Sequence, residues 1–152
     1  MTAREYVEQA RGMRARLEAL EERRCHYEDL ATNATAHYRA GPGGGTRRVS
    51  SVEEYAVKLA DLSRDMAARA DIYAEALRGI EAAIDAIADP VKRDVLKFRY
   101  LSGWGWGRIA KAMNYTERYV YKIHGWALRD LRVPRDAQPV EDIVRARLKI
   151  GQ

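Results

Sequence analysis

The chain has 152 residues, 32% of them charged and 47% hydrophobic, the proportions of one folded domain or two small ones. No apolar run approaches the ~20 residues of a membrane span. The N-terminus is charged from Arg4 onward and lacks the apolar stretch of a secretory signal, and one cysteine, Cys25, leaves no internal disulfide. The net charge of +5 is unevenly spread: Met1 to Asp89 carries 13 Lys/Arg against 16 Asp/Glu (−3), and Pro90 to Gln152 carries 14 against 6 (+8). A polyanion surface is therefore expected in the second half.

From the start, Tyr6, Ala10, Met13, Leu17, Leu20, Arg24, Tyr27, Ala31, Ala34 and Tyr38 recur at alternating spacings of four and three, a heptad seam interrupted by Arg24. Gly41-Pro42-Gly43-Gly44-Gly45 ends this helix and supplies a turn. Thr46 does not turn the run into a phosphate loop, because the Gly-Lys-Ser/Thr ending and a preceding strand are missing. Ser50 or Ser51 can cap a second helix, with Glu53 and Glu54 in its first turn. Its expected seam is Val52, Tyr55, Leu59, Leu62, Met66, Arg69, Tyr73, Leu77, Ile80, Ile84 and Ile87, with a one-residue slip between Tyr73 and Leu77.

Two segments of roughly 37 residues, each ~55 Å long as helix, with a glycine-rich connection favour an antiparallel, coiled-coil-like hairpin over residues 1–88. An alanine-rich pair of helices buries little by itself. Its exposed apolar edge is expected to pack on a second copy, giving a homo-oligomer with a dimer favoured, or else on the C-terminal part of the same chain. Cys25, His26, His37 and His124 do not make a zinc ligand set, and no cofactor or metal site is expected.

Asp89-Pro90 opens the next helix, a capping carboxylate followed by proline at the first helical position. It runs to about Leu101 with Val91, Val95, Phe98 and Leu101 on one side, and Ser102-Gly103 break it. A short helix follows from Trp106 to Met113, with Trp106, Ile109, Ala110 and Met113 on one face. Asn114-Tyr115 turns the chain, and Thr116 caps a third helix to about Leu131 with Val120, Ile123, Ala127, Leu128 and Leu131 as its buried stripe. Three such helices, with a short turn between the last two, describe a helix-turn-helix over residues 89–132. Glu117, Arg118, Tyr121, Lys122, Gly125 and Arg129 fall off the stripe, where arginine and lysine meet guanine edges or phosphates and tyrosine a phosphate or thymine methyl. Residues 133–152 hold Pro134 and Pro139, then a short amphipathic helix through Val140, Ile143, Val144, Leu148 and Ile150. That helix could pack back on the domain, pair with another copy or lie on phosphate.

Thr116 to Leu131 resembles the recognition helix of sigma-factor region 4. More specifically, YLSGWGWGRIAKAMNYTERYVYKIHGWAL is similar to the sigma region-4-like domain of ArpU/RinA-type phage transcription regulators, over roughly residues 89–131. The resemblance implies base or phosphate contacts to duplex DNA from Glu117, Arg118, Tyr121 and Lys122, and backbone contacts from Thr116, Tyr119 and Arg108. Arg129 extends this DNA-binding set. Two features depart from the pattern: Gly105 stands where sigma domains usually carry Thr or Ser, and Gly125 lies in mid-helix.

The expectation is an all-α, non-enzymatic, sequence-specific transcription regulator of a phage or prophage, acting as an activator in the cytoplasm on the host nucleoid. RNA polymerase is a further partner that the resemblance admits, and no membrane contact is expected. Two alternatives compete: a small-terminase-like packaging protein, which usually has the opposite domain order, and an adaptor that grips RNA polymerase without reading DNA.

Overall fold

The computed structural model describes residues 1–40 and 46–148, with the side chains of 34–50 set aside. The expected break at 41–45 and the tail position Ile150 lie outside the described residues, and of the seam positions Ala34 and Tyr38 and of Ser50 only the backbone is described. Every regular element among the described residues is helical: α1 (Ala3–Glu8), α2 (Met13–Ala40), α3 (Thr46–Asp85), α4 (Pro90–Leu96) with a π-helical turn (Lys97–Leu101), α5 (Trp106–Met113), α6 (Glu117–Asp130) and α7 (Val140–Leu148). No described helix is long and apolar enough to cross a membrane.

The first expected helix is in fact two. Thr2 and Glu5 form a reciprocal capping box on α1: Thr2 N–H donates to Glu5 Oε2 (2.7 Å), and Glu5 N–H to Thr2 Oγ1 (3.2 Å). The chain then turns through Gly12, whose φ of +79° lies in the left-handed region that a Cβ disfavours, and α2 starts at Met13. The second long helix begins at Thr46, ahead of the serines expected to cap it. Nothing in Thr46-Arg47-Arg48-Val49 breaks a helix, so it reaches back to the glycine run.

The chain divides into two compact units, Met1–Arg16 with Ile72–Gln152, and Leu17–Asp71. In the first, Tyr6, Val7 and Ala10 share a core with Ile80, Ile84 and Ile87, with Leu96 and Tyr100, and with Ala127 and Leu131 of α6. A boundary between residues 88 and 89 therefore does not describe this unit, because apolar side chains from both sides of it lie in one core. Val95, Ile109, Ala110, Val120 and Ile123 build a second cluster, flanked by Phe98, Trp104, Trp106 and Met113. Consecutive residues of α4, Val95 and Leu96, thus serve the two clusters.

Local chemistry sets the helix ends. Asp89 Oδ1 accepts from Val91 N–H (2.9 Å) with Pro90 behind it, as expected for this start. At the other end the helix widens, and Ser102 N–H reaches Lys97 O (2.9 Å), five residues back. Gly103 (φ +73°) then reverses the chain so that Trp104 N–H meets Phe98 O at 2.9 Å.

The C-terminal helix α7 folds back on the same chain, deciding among the three arrangements open to it. Val140 and Val144 are buried, and Val140 N–H donates to Gln9 Oε1 at 2.7 Å. Tyr73 Oη donates to Glu141 (2.7 Å), and Arg147 pairs with Glu75 at 3.1 Å. The pair between Arg147 and Glu75 is exposed and contributes at most about 1 kcal/mol, so the two buried valines, with the partly buried hydrogen bonds, do most of the anchoring.

In the second unit the least exposed positions of α2 include Leu17, Leu20, Arg24, Tyr27 and Ala31, as the heptad reading expects. Arg24 is tolerated in this seam because its guanidinium donates to Glu21 (3.0 Å) and Glu28 (3.0 Å) along the helix. On α3 the buried and half-buried positions differ from the expected seam. Along α3 and just past it, these positions include Val52, Ala56, Leu59, Ser63, Met66, Ala70, Tyr73, Leu77, Ile80, Ile84 and Ile87, an unbroken alternation of four and three. Ala56 and Ser63 replace the expected Tyr55 and Leu62, which are exposed, Ala70 is buried beside the half-buried Arg69, and the slip between Tyr73 and Leu77 disappears.

Candidate nucleic-acid interface

α5 and α6 pack against each other and α6 packs across α4. Between them Asn114 adopts a left-handed conformation (φ +58°), which asparagine tolerates better than most residues. Tyr115 N–H closes the turn on Ala110 O (3.0 Å), and Thr116 Oγ1 accepts from Tyr119 N–H (3.2 Å) to cap α6. Val120, Ile123, Ala127 and Leu131 are buried as expected.

The opposite face of α6 carries Arg118, Lys122, Gly125 and Arg129 at spacings of four, three and four. The three cations are exposed, and among the described residues none has a carboxylate within ion-pair distance. The other two charged residues of the helix lie off this face. Asp130 takes Lys92 at 2.6 Å, and the Glu117 carboxylate lies over Gly107, where a Cβ would stand 2.9 Å from Oε1. The outer face is therefore a cationic ridge on a rigid element. Thr116 is exposed at its N-terminal end.

Aromatic rings flank the ridge on both sides. Tyr121 is exposed and packs on Trp106 with ring centroids 4.4 Å apart. On the other flank Tyr119 (43% exposed) meets Tyr115 edge-on at 5.0 Å and Trp126 (42% exposed) at 6.3 Å. Trp126 stands seven residues after Tyr119, the spacing that puts both on one flank. Trp104, by contrast, stacks on Phe98 (4.5 Å, 3°) and takes the Arg108 guanidinium over its outer face at 4.1 Å. Arg108 is thus held against the Trp104 ring, while Thr116, Arg118, Tyr119, Tyr121, Lys122 and Arg129 lie on or next to the ridge.

Behind the ridge His124 is buried, sharing a 2.6 Å hydrogen bond with Tyr100 Oη and meeting Trp106 edge-on at 4.8 Å. It belongs to the packing of the helix. Burial first, then the positive charges of Arg4 and Arg99, hold its pKa down to about 4. The folded protein keeps this imidazole neutral while the unfolded chain protonates it near 6.5. Its share of stability is complete above pH 6.5, falls as pH drops from about 6.5 to about 4, and changes no further below that. Melting temperatures across this window are expected to fall more steeply for the native protein than for His124→Gln; equal slopes would place the imidazole in contact with water.

Gly125 has open space around the position of a Cβ, with nothing within 4 Å. Gly125→Ala is therefore expected to raise stability by about 1 kcal/mol through helix propensity alone, measured by urea unfolding. Destabilisation would mean that the backbone at 125 is not regular helix.

No family model, no curated protein and no solved structure matches the chain. The functional reading accordingly rests on the residues of this face.

Proposed function

We propose that the chain is a sequence-specific, duplex-DNA-binding regulator of transcription, with α5 and α6 as a helix-turn-helix and α6 as its recognition helix. The observation that carries this reading is the ridge of Arg118, Lys122 and Arg129: exposed cations on the face of α6 opposite its buried stripe, beyond a capped N-terminus. In this reading Arg118, Tyr121 and Lys122 reach base edges or phosphates in the major groove. Thr116, Tyr119 and Arg129 meet the backbone on either side. Glu117, turned back over Gly107, positions the start of the helix and reaches a base only by swinging outward.

A single module of this size makes few phosphate contacts, and affinity at physiological salt depends steeply on their number. The proposal therefore includes self-association, with α2 and α3 forming an antiparallel hairpin that holds two copies together and presents two recognition helices to two half-sites. The sequence resemblance to phage regulators supports a role in phage or prophage gene control in the bacterial cytoplasm. It requires no catalytic group, metal or cofactor.

A second reading is favoured by one feature, the exposed rings of Tyr115, Tyr119 and Trp126 beside the ridge, which would suit a protein partner such as RNA polymerase. The deciding experiment is selection of bound duplexes from a random pool at about 150 mM salt, near physiological ionic strength, followed by sequencing. A defined motif, repeated at a fixed spacing, is the expected result. Recovery of no sequence above background, with retention of polymerase, would replace the DNA reader by the adaptor.

A further inference from the structure

The first α3 seam is covered within the chain, and a second one stands beside it. Tyr55, Lys58, Leu62, Asp65 and Arg69 follow each other at spacings of three, four, three and four. Tyr55 is 51% exposed and Leu62 42%, large apolar side chains on the same line, two turns apart. A helix with two adjacent heptad lines carries more apolar surface than one neighbouring helix can cover.

We infer that this line is a self-complementary strip that pairs antiparallel with the same strip of a second copy, about a two-fold axis through Leu62. Such an axis sets residues at equal distances before and after position 62 opposite one another. Leu62 then meets Leu62 of the second copy at the centre. Tyr55, seven residues before the axis, faces Arg69, seven residues after it, and places a ring against a guanidinium. Lys58, four residues before, falls beside Asp65, three residues after, and sets a cation against a carboxylate.

The charges choose both the occupant and the direction. Among the described residues Lys58 has no carboxylate within ion-pair distance, and Asp65 holds Arg69 of its own helix at 3.0 Å on one side only. An antiparallel second copy gives Lys58 its partner. Parallel, in-register pairing would set Lys58 on Lys58, Asp65 on Asp65 and Arg69 on Arg69, three like-charge contacts. Leu62 then sits at the centre, with a charge pair on either side of it and a ring against a guanidinium at each end.

This deepens the self-association in the reading above and does not depend on the DNA contact. The test is sedimentation of the full chain without DNA. The native protein is expected to be a dimer, and Leu62→Glu, with its helicity unchanged by circular dichroism, to dissociate at least about 30-fold more readily, as for a central interface residue. Lys58→Glu and Asp65→Lys should each weaken the dimer, and the two together should restore it. With Cys25 replaced by serine, Leu62→Cys should crosslink to itself through a short bismaleimide. Val57→Cys, exposed on another side of α3, should not. A native monomer, a dimer indifferent to Leu62→Glu, or equal crosslinking at 57 and 62 would overturn the pairing. A monomer that still selects a DNA motif would overturn it while leaving the DNA reading in place.

Discussion

Arg118→Ala combined with Lys122→Ala is expected to lower affinity for a selected duplex about a hundredfold or more. A well-placed base contact is worth about 1–3 kcal/mol of discrimination, and the pair supplies two of the three cations on the ridge. Helicity and unfolding midpoint should not move, since both side chains are exposed and lie outside the apolar clusters. Titrations over a range of salt concentrations separate the roles. If both residues neutralise phosphates, the slope of log affinity against log salt should flatten by about 1.8, close to 0.9 for each contact. If they read bases, the slope should stay and sequence preference should relax. Unchanged affinity in the double variant would remove α6 from the interface.

Ile84→Ala is expected to cost about 2–5 kcal/mol, the usual range for emptying a fully buried aliphatic site. Ile84 is completely buried in the cluster that also holds Tyr6, Leu96, Tyr100 and Leu131. The chain's three tryptophans, Trp104, Trp106 and Trp126, lie in this same unit, so denaturant unfolding followed by their fluorescence reports on it. A shared core predicts that the tryptophan transition shifts to lower denaturant in the variant. An independent domain beginning at residue 89 predicts no shift, because Ile84 would then lie outside what the tryptophans report.

Much of the C-terminal unit was legible in the sequence, because its signals are local. Asp89-Pro90, Ser102-Gly103, Asn114 and Thr116 mark helix ends by side-chain chemistry, and Val120, Ile123, Ala127 and Leu131 mark the buried side of α6 by period alone. The outward cations follow by elimination from that stripe. The packing of α1 and the end of α3 on this unit was not legible, since Tyr6 and Ile80 touch α6 residues only through tertiary structure. The heptad line of α3 was misread for another reason. Hydrophobic scoring prefers Tyr55 and Leu62 to Ala56 and Ser63, yet the fold covers the two small side chains and leaves the two large ones exposed. At the site, Arg108 on Trp104 and Glu117 over Gly107 are encounters between different elements, so residue type alone could not show where these two charges point.

The unit that carries the cationic ridge is discontinuous along the chain, and this has a consequence for the order in which the protein is made. Residues 1–16 leave the ribosome well before the helices that cover them, so Tyr6, Val7 and Ala10 have no core to enter until α3 has finished and α4 and α6 have been synthesised. Closing the intervening loop carries an entropic cost that grows slowly with its length. If Leu17–Asp71 folds early as a unit of its own, part of that closure is complete before the C-terminal helices emerge. The α1 segment would then be among the last to dock during synthesis, although it is translated before every other part of its unit.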